Sequence, residues 1–220
     1  MEIRKITIDG PAGAGKSTVA KILARKLGFL HLDSGAVYRA IGYAAKKGGV
    51  NLDDEVAITE FLKKITVDID KGKVFLNGED ITEEIRTPEG GSLASKVARF
   101  LSVRKEVIEI LRKIASNKKV ITDGRDAGTN IFPDAQVKVF LTASPEERAK
   151  RRYKELKSKG FNIKYEDILN EIIERDNQDK NRKVAPLTVP EGAIVIDTTG
   201  KTVDEVVSLI EKIVREKNDS

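Results

Sequence analysis

The sequence predicts an α/β protein in which a doubly wound, five-stranded parallel sheet carries an inserted small α+β domain and a short lid. Short apolar runs alternate along the chain with longer stretches whose apolar residues recur every three or four positions, as strands alternate with helices. A glycine-rich segment separates the first strand from the first helix. Between residues 66 and 81 the apolar period changes to two, which predicts a small antiparallel sheet.

The five core strands are predicted from apolar runs that end in polar residues. These runs cover residues 3–8, 29–32, 120–122, 137–142 and 194–196. The fourth run is almost wholly apolar, as is typical of a strand buried on both faces. We therefore expect helices to cover both sides of the sheet.

The helices are predicted from apolar spacing and from capping signals. The first follows the glycine-rich segment, the next begins at about 36, and a third follows the polar break 51–55 and ends at about 64. Two more cover about 93–100 and 103–116, and the last three begin at about 145, 165 and 203. Ser144 with Glu147, and Thr202 with Glu205, have the spacing of a capping box and mark two helix starts. Segment 89–91 contains two glycines and is predicted to be a loop.

The chain is predicted to form a single domain over residues 1–220 with two subsidiary parts. Residues 36–105 are expected to form an insert that contains the small sheet, in which the Asn-Gly pair at 77–78 is a strong hairpin signal. Residues 148–182 are expected to form the lid region. Its polar, glycine-broken segment 157–162 is predicted to be a mobile loop.

Composition limits the classes of partner. The 40 basic and 35 acidic residues give a net charge of +5, but aromatic residues make up only 5% and form no stripe with basic ones. Small phosphorylated ligands explain the basic excess, so we expect no nucleic-acid partner. Without cysteine there is no thiolate chemistry, and no apolar run approaches membrane-spanning length. We expect a cytoplasmic monomer that does not bind membranes.

The glycine-rich segment fits the phosphate-loop (P-loop) pattern G-x-x-x-x-G-K-[ST]. Its residues are Gly10, Pro11, Ala12, Gly13, Ala14, Gly15, Lys16, Ser17 and Thr18. Glycines let backbone N–H groups converge on an anion, and the following helix adds the positive end of its dipole. Lys16 can reach the β- and γ-phosphates of a nucleotide, and the Ser17 hydroxyl can ligate Mg²⁺. We therefore expect ATP or GTP to bind here.

Polar side chains follow the apolar runs, at the edge where parallel α/β sheets bind ligands. Six of them come just after the second and third core strands: Asp33, Ser34, Arg39, Asp123, Arg125 and Asp126. Because they share one edge with the phosphate loop, we expect them to form a site. Asp33 is a candidate second ligand of Mg²⁺.

Two later helices carry arginines on one face. The residues concerned are Arg148, Arg151 and Arg152, and then Arg175, Asp179 and Arg182. Arg–Asp pairs at this spacing also decorate exposed helices, so a merely solvated face stays open as an alternative. The neighbouring Gly160 segment favours a cationic lid that closes on a hinge.

The residue set lacks an obvious general base. The only histidine, His31, lies inside the second strand and is expected to be structural. An alcohol acceptor would need a base to take its proton. A phosphate monoester, with a second pKa of about 6, already carries the nucleophilic oxygen at neutral pH. A site rich in arginine and poor in bases therefore favours transfer between phosphates, in which cations relieve repulsion.

Longer motifs carry a resemblance to a known family. They are LDSGAVYR at 32–39, IRTPE at 85–89, DGRDAGT at 123–129, FPDA at 132–135, RDNQDKNR at 175–182 and APL at 185–187. With them the chain resembles the bacterial cytidylate kinases, which are P-loop nucleoside monophosphate kinases, over essentially its full length. It departs from the family pattern at Gly90-Gly91 and at Ala127.

The resemblance implies transfer of the γ-phosphoryl group of ATP to CMP or dCMP with Mg²⁺. It implies that the acceptor phosphate is held by Ser34, Arg39, Arg125 and Arg182. Cytosine would be read by Ser95, Arg104 and Asp126, the ribose by Arg175 and Asp179, and Tyr38 would also bind substrate. Arg148, Arg151 and Arg152 would belong to the lid over ATP. The residues expected to act in catalysis are Lys16, Arg125, Arg148, Arg152 and Arg182.

Three alternatives stay open at this point. A P-loop kinase for UMP, AMP or shikimate would share the phosphate loop, although a shikimate-type enzyme needs a carboxylate base and no large insert. A P-loop GTPase switch should carry Asn-Lys-x-Asp, but the nearest string, at 117–120, lacks the Asp. A nucleic-acid-dependent ATPase would need the basic and aromatic surface that the composition lacks.

Overall fold

A computed structural model describes residues 2–158, 160–182 and 184–219. The chain forms a five-stranded parallel sheet between helices and a separate three-stranded antiparallel sheet, so the predicted fold class is confirmed. Within these ranges, no helix is both long enough and apolar enough to span a bilayer.

The strands and helices occur in the predicted order. The strands are β1 (Lys5–Asp9), β2 (Leu30–Asp33), β3 (Val67–Asp70), β4 (Lys73–Leu76), β5 (Glu79–Asp80), β6 (Val120–Gly124), β7 (Val137–Thr142) and β8 (Ile194–Asp197). The helices are α1 (Lys16–Leu27), α2 (Ser34–Lys47), α3 (Glu55–Leu62), α4 (Pro88–Val97), α5 (Leu101–Ala115), α6 (Pro145–Ser158), α7 (Tyr165–Asn181) and α8 (Val203–Asp219). A π-helical turn, Ala127–Ile131, follows β6 and was not predicted.

The parallel sheet has the strand order β2-β6-β1-β7-β8. One core cluster packs α1 and α8 against the sheet through residues such as Leu23 and Ile210, and a second involves α2 and α5 through Ile41 and Val107. Burying a side chain of this size stabilises the fold by about 1.5–3 kcal/mol. Because the strands are parallel and in register, with Asp33 opposite Asp123, their polar C-terminal residues meet at one edge.

The inserted sheet is made by two tight hairpins, one of them at the predicted Asn77-Gly78 pair. Lys71-Gly72 and Asn77-Gly78 adopt positive φ angles of 46° and 78°, and of 51° and 85°. Two consecutive positive φ angles are the mark of a type I′ turn, whose twist matches that of the flanking strands. The apolar face of β3 and β4 joins the same core cluster as α2 and α5. The boundaries 36–105 and 148–182 stay predictions.

The prediction of a loop at 89–91 is wrong, because this segment lies in the first turns of α4. The Thr87 hydroxyl caps the helix by accepting from the Gly90 N–H at 3.0 Å, and Pro88 occupies the first helical position. A β carbon on Gly90 would lie 2.4 Å from the carbonyl oxygen of Ile85. Gly90 therefore permits a close backbone approach inside a helix.

Both predicted capping residues mark their helix starts, but only Thr202 with Glu205 forms a complete capping box, because the Ser144 N–H donates to Thr199. The Glu147 N–H donates to Ser144 Oγ at 3.2 Å, and the Glu205 N–H donates to Thr202 Oγ1 at 3.3 Å. Glu205 returns the bond by accepting from the Thr202 N–H at 2.7 Å. Segment 157–162 includes residue 159, which lies outside the described residues, so its mobility stays a prediction.

Candidate active site

Two pockets meet at the N-terminus of α1. The P-loop pocket is lined by Gly13, Ala14, Gly15, Lys16, Ser17, Thr18, Val19, Arg151, Arg152, Glu155, Thr198, Lys201, Thr202, Val203 and Val206. The arginine pocket contains every predicted substrate-binding residue: Ser34, Tyr38, Arg39, Ser95, Arg104, Arg125, Asp126, Arg175, Asp179 and Arg182. Both pockets are lined by Lys16 and Ser17, so a group bound in one would face a group bound in the other.

The phosphate loop depends on two glycines at close approaches. Gly10 has a φ of 144°, and a β carbon there would lie 2.0 Å from the Leu141 carbonyl oxygen of β7. Gly13, with a φ of 77°, faces the β carbon of Arg148. Gly15 has a φ of 87° and is the N-cap of α1. These conformations are open to glycine and costly for other residues.

Lys16 is buried between the two pockets. Its Nζ donates to the carbonyl oxygen of Pro11 at 2.7 Å, so the side chain folds back over the loop. Burial, together with the positive charge of Arg125, lowers the pKa of Lys16 to about 7, although Asp123 opposes this shift. A bound phosphate would supply the negative charge that restores the ammonium form.

Beside Lys16, a hydrogen-bonded chain joins Ser17, Asp123 and His31. Ser17 Oγ donates to Asp123 Oδ2 at 2.5 Å, and His31 Nε2 lies 2.6 Å from Asp123 Oδ1. Burial favours the neutral acid, but the bonds from His31 and Ser17 outweigh it and lower the pKa of Asp123. Burial likewise opposes the charged imidazole, yet Asp123 raises the pKa of His31. Asp123 is therefore a carboxylate next to the P-loop hydroxyl.

Asp33, the predicted second metal ligand, has other partners. Its Oδ1 accepts from the Ala36 N–H at 2.9 Å and caps α2, while its Oδ2 accepts from Arg39 at 2.6 Å. The structure thus brings Asp123, rather than Asp33, to Ser17. Sequence reasoning placed Asp123 on the rim but not at the P-loop, because that contact depends on β6 lying beside β1.

The arginine pocket carries excess positive charge. Six basic side chains and four carboxylates line it. Buried Nε atoms of Arg39, Arg175 and Arg182 have no hydrogen-bond partner among the residues that the structure describes. Burial and the nearby charge of Arg125 lower the pKa of Arg175 to about 10. Crowded cations with unused donors are the features expected of an anion site.

A buried ion pair contributes to the lining of the arginine pocket. Arg104 Nη2 donates to Asp126 Oδ2 at 2.6 Å, and its Nη1 donates to the Ala98 carbonyl oxygen at 3.0 Å. Asn130 also donates to Oδ2 of Asp126, at 3.1 Å, and no group in the described part of the chain is hydrogen-bonded to Oδ1, so Oδ1 can accept from a ligand. The guanidinium lies 5.5 Å from the ring centroid of Tyr38, whose pKa is raised by burial.

The three arginines of α6 have different surroundings. Arg151 donates to the carbonyl oxygen of Thr198 at 2.6 Å, and Arg152 pairs with Glu155; both arginines line the P-loop pocket. Arg148 lines neither pocket within the described ranges and is only 2% exposed.

Arg148 instead links the phosphate loop to α7. It donates to the Ala12 carbonyl oxygen at 3.0 Å, to that of Ala143 at 2.9 Å, and to both carboxylate oxygens of Asp176. Asp176 belongs to the helix that carries Arg175 and Asp179. The catalytic role expected of Arg148 stays a prediction and would require its side chain to leave Asp176.

Asp9 is a buried residue that sequence reasoning missed. Its two carboxylate oxygens accept from the N–H groups of Ala127 and Gly128, each at 2.7 Å. Burial raises the pKa of Asp9 to about 6, although these two bonds favour the carboxylate. By tying β1 to the π-helical turn, Asp9 fixes the start of the segment that follows Arg125 and Asp126. The one sequence signal for Asp9 was its position as a polar residue at the end of the buried strand β1.

Comparison with known proteins identifies the family. The family profile described as "Cytidylate kinase" matches residues 6–216. The chain is 53% identical to a cytidylate kinase of Caldanaerobacter subterraneus over 96% of this chain and 94% of that protein. It is 50% identical to one of Thermosipho melanesiensis over 97% of each chain. Among solved structures, a shikimate kinase from Bacteroides thetaiotaomicron shares the fold, with a TM-score of 0.51 and 15% identity over 97% of this chain and 99% of the other. The chain belongs to the cytidylate kinase family.

Proposed function

We propose that the protein transfers the terminal phosphoryl group of ATP to CMP or dCMP and releases ADP with CDP or dCDP. The observation that carries this proposal is the junction of the two pockets at Lys16 and Ser17. A donor phosphate on the P-loop and an acceptor phosphate among the arginines would face each other across the Lys16 ammonium. The names of the relatives support cytidine nucleotides as acceptors. UMP and AMP are the runner-up acceptors.

The acceptor phosphate would be held by Ser34, Arg39, Arg125 and Arg182. The unused Nε donors of Arg39 and Arg182 suit a dianionic ligand. The acceptor oxygen of a phosphate dianion needs no base, and His31 is already engaged with Asp123. Catalysis would consist mainly of positioning the two phosphates and neutralising their charge.

Base selection would depend on Arg104 and Asp126, with Ser95 lining the same pocket. Cytosine presents an amino donor at C4 and acceptors at N3 and O2, whereas uracil presents an acceptor at C4 and a donor at N3. The free Oδ1 of Asp126 can accept from the cytosine amino group, and Arg104 can donate toward N3 or O2. Arg175 and Asp179, one turn apart on α7, would contact the ribose.

A Mg²⁺ ion would be held by Ser17 and Asp123, together with phosphate oxygens. Hard oxygen ligands suit this ion, and Mg²⁺ at phosphate sites commonly uses only one or two protein groups. This agrees with the finding that no cluster of three or more His, Cys, Asp or Glu side chains suited to a metal occurs in the described part of the chain. When bound, the ion would neutralise charge on the transferring phosphates. Arg151 and Arg152 would face ATP.

We also propose that the enzyme works as a cytoplasmic monomer. Its proposed substrates are free nucleotides, which suits a cytoplasmic location.

The test is release of ADP from ATP with CMP, dCMP, UMP, AMP or shikimate as acceptor, for the wild type and for Asp126→Asn. We expect the highest kcat/KM with CMP or dCMP. The amide of Asp126→Asn keeps the side-chain volume but replaces a carboxylate with a weaker acceptor. We expect kcat/KM for CMP to fall about 10- to 100-fold, which corresponds to about 1–3 kcal/mol. UMP should lose much less.

Two results would contradict the proposal. Equal losses for CMP and UMP would assign Asp126 to organising the phosphate site rather than to reading the base. Turnover that does not depend on any added monophosphate would argue against a nucleotide kinase altogether.

A further inference from the structure

We propose that His31 is a positioning residue for phosphoryl transfer, because it fixes the carboxylate of Asp123 in the orientation that faces Ser17. The inference rests on the proposed Mg²⁺ site at Ser17 and Asp123. His31 would touch neither nucleotide and would act only through Asp123.

The strand register brings His31 and Asp123 together. β2 and β6 run parallel, with His31 opposite Ile121 and Asp33 opposite Asp123. Because side chains two residues apart along a strand lie on the same face, His31 and Asp123 are diagonal neighbours on one face of the sheet. The His31 side chain is 14% exposed, and its Nε2 lies 2.6 Å from Asp123 Oδ1.

The two oxygens of Asp123 have different partners. Oδ1 is bonded to His31 and Oδ2 to Ser17, so the plane of the carboxylate is defined from both sides. The terminal torsion of an aspartate is otherwise broad, so one bond alone leaves the group free to turn. Lys16 interacts electrostatically with Asp123, so it would attract a carboxylate oxygen that had turned away from Ser17. His31 would hold Oδ2 toward the P-loop hydroxyl and the metal.

In other metal-binding proteins, a group that orients a metal ligand has a measurable effect on metal affinity. Removing a group that orients a metal ligand commonly costs about 10- to 100-fold in metal affinity. The predicted signature of His31 is therefore a loss of metal affinity with the acceptor site unchanged.

The experiment compares His31→Leu, His31→Gln and Asp123→Asn with the wild type. Binding of Mn²⁺ to each enzyme–ADP complex is measured by electron paramagnetic resonance, and Mg²⁺ dependence and KM for CMP are measured by turnover. We expect His31→Leu to weaken Mn²⁺ binding and raise the half-saturating Mg²⁺ concentration about 10-fold, with KM for CMP unchanged. His31→Gln should stay within about twofold, because its amide nitrogen can replace Nε2 as donor.

The controls separate positioning from packing. Combined with Asp123→Asn, the change His31→Leu should cause no further loss of Mn²⁺ affinity, and melting temperatures without metal report any folding defect. If Asp123→Asn weakens Mn²⁺ binding but His31→Leu does not, the inference fails and the proposed metal site stands. If neither variant changes Mn²⁺ binding, the metal site itself is wrong. Equal losses in His31→Leu and His31→Gln would also overturn the inference, since they would show that the imidazole only fills space.

Discussion

The P-loop pocket and the arginine pocket are built in different ways, although they share Lys16 and Ser17. Seven of the fifteen residues that line the P-loop pocket form one continuous stretch, 13–19, and the other eight come from α6, the segment before α8, and α8 itself. The arginine pocket instead draws side chains from α2, α4, α5, β6 and α7. A continuous phosphate loop is visible in a sequence because its residue types occur at fixed spacing. A pocket collected from distant elements exists only after the chain folds.

The two pockets also differ in how they would attract a phosphate. The P-loop offers backbone N–H groups and the dipole of α1, neither of which a side-chain substitution removes. The arginine pocket relies on side-chain cations, three of which have an unused buried donor. We therefore expect a single substitution to reduce activity most at Lys16, which both pockets share, and to affect only one of the two substrates at other positions.

The largest effect is expected from Lys16→Met, which removes the cation common to both pockets. Loss of one electrostatic group that acts in the transition state commonly costs about 10²- to 10³-fold in kcat. The variant should fold, because among the residues that the structure describes the Lys16 side chain donates a hydrogen bond only within the adjacent loop, to Pro11. Kinetics with ATP and CMP and a melting curve check both statements. A folded variant with near wild-type kcat would show that the pockets do not meet at Lys16.

Arg148 connects the phosphate loop to α7, so replacing it should lower the stability of the fold. Removing one partner of a buried ion pair typically costs about 3–5 kcal/mol, because the other charge is left buried. Arg148→Met should lower the free energy of unfolding in urea by this amount, and the double change with Asp176→Leu should recover much of it. Arg151→Met on the same helix is the matched control, with an expected loss of about 1 kcal/mol or less. Similar losses for both variants would contradict the linking role of Arg148.

A smaller and selective effect is expected when one arginine is changed in each pocket. Arg182→Met should raise KM for CMP about 10- to 100-fold and leave KM for ATP nearly unchanged, because a charge-assisted bond is worth about 1.5–3 kcal/mol. Arg152→Met should act on ATP alone, and by about fivefold or less, since this side chain is 40% exposed. Steady-state kinetics with each substrate varied in turn measure both. If either variant raised both KM values, the two pockets would not bind the two substrates separately.

The sequence predicted most where a local pattern determines the structure. β7 was predicted to its observed ends because most of its side chains are buried, which makes its run almost wholly apolar. The hairpin turn at 77–78 and the two helix starts at Ser144 and Thr202 were also predicted, since each depends on neighbours only a few residues apart. The family motifs located the residues of the arginine pocket, but no local rule would have brought them together.

What the sequence did not show concerns one local helix start and two sets of contacts between distant segments. Gly90 was interpreted as a loop residue, whereas it permits the approach of the Ile85 carbonyl to a helix. Helical spacing placed Arg148 on one face with Arg151 and could not show that Asp176 would bury it. The bonds of Asp9 to Ala127 and Gly128 span more than 100 residues of sequence, so no local pattern reveals them.

The smallest predicted effect is a proton taken up when nucleotide binds. Burial lowers the pKa of Lys16 to about 7, so the free enzyme holds this side chain largely neutral at pH 8 and largely charged at pH 6. Bound phosphates favour the ammonium and should raise the pKa, so ADP binding should take up about one proton at pH 8 and about a tenth of a proton at pH 6. Calorimetry in buffers of different ionisation enthalpy measures this number.

Lys16→Arg provides the matched control for proton uptake, because a guanidinium stays charged throughout this range. Titration of ADP itself is common to both proteins, so the difference between them reports Lys16. If the two proteins take up the same number of protons at pH 8, Lys16 is already charged in the free enzyme. Lys16 would then be a permanent cation between the two pockets, and the first nucleotide would bind without a change in the protonation of Lys16.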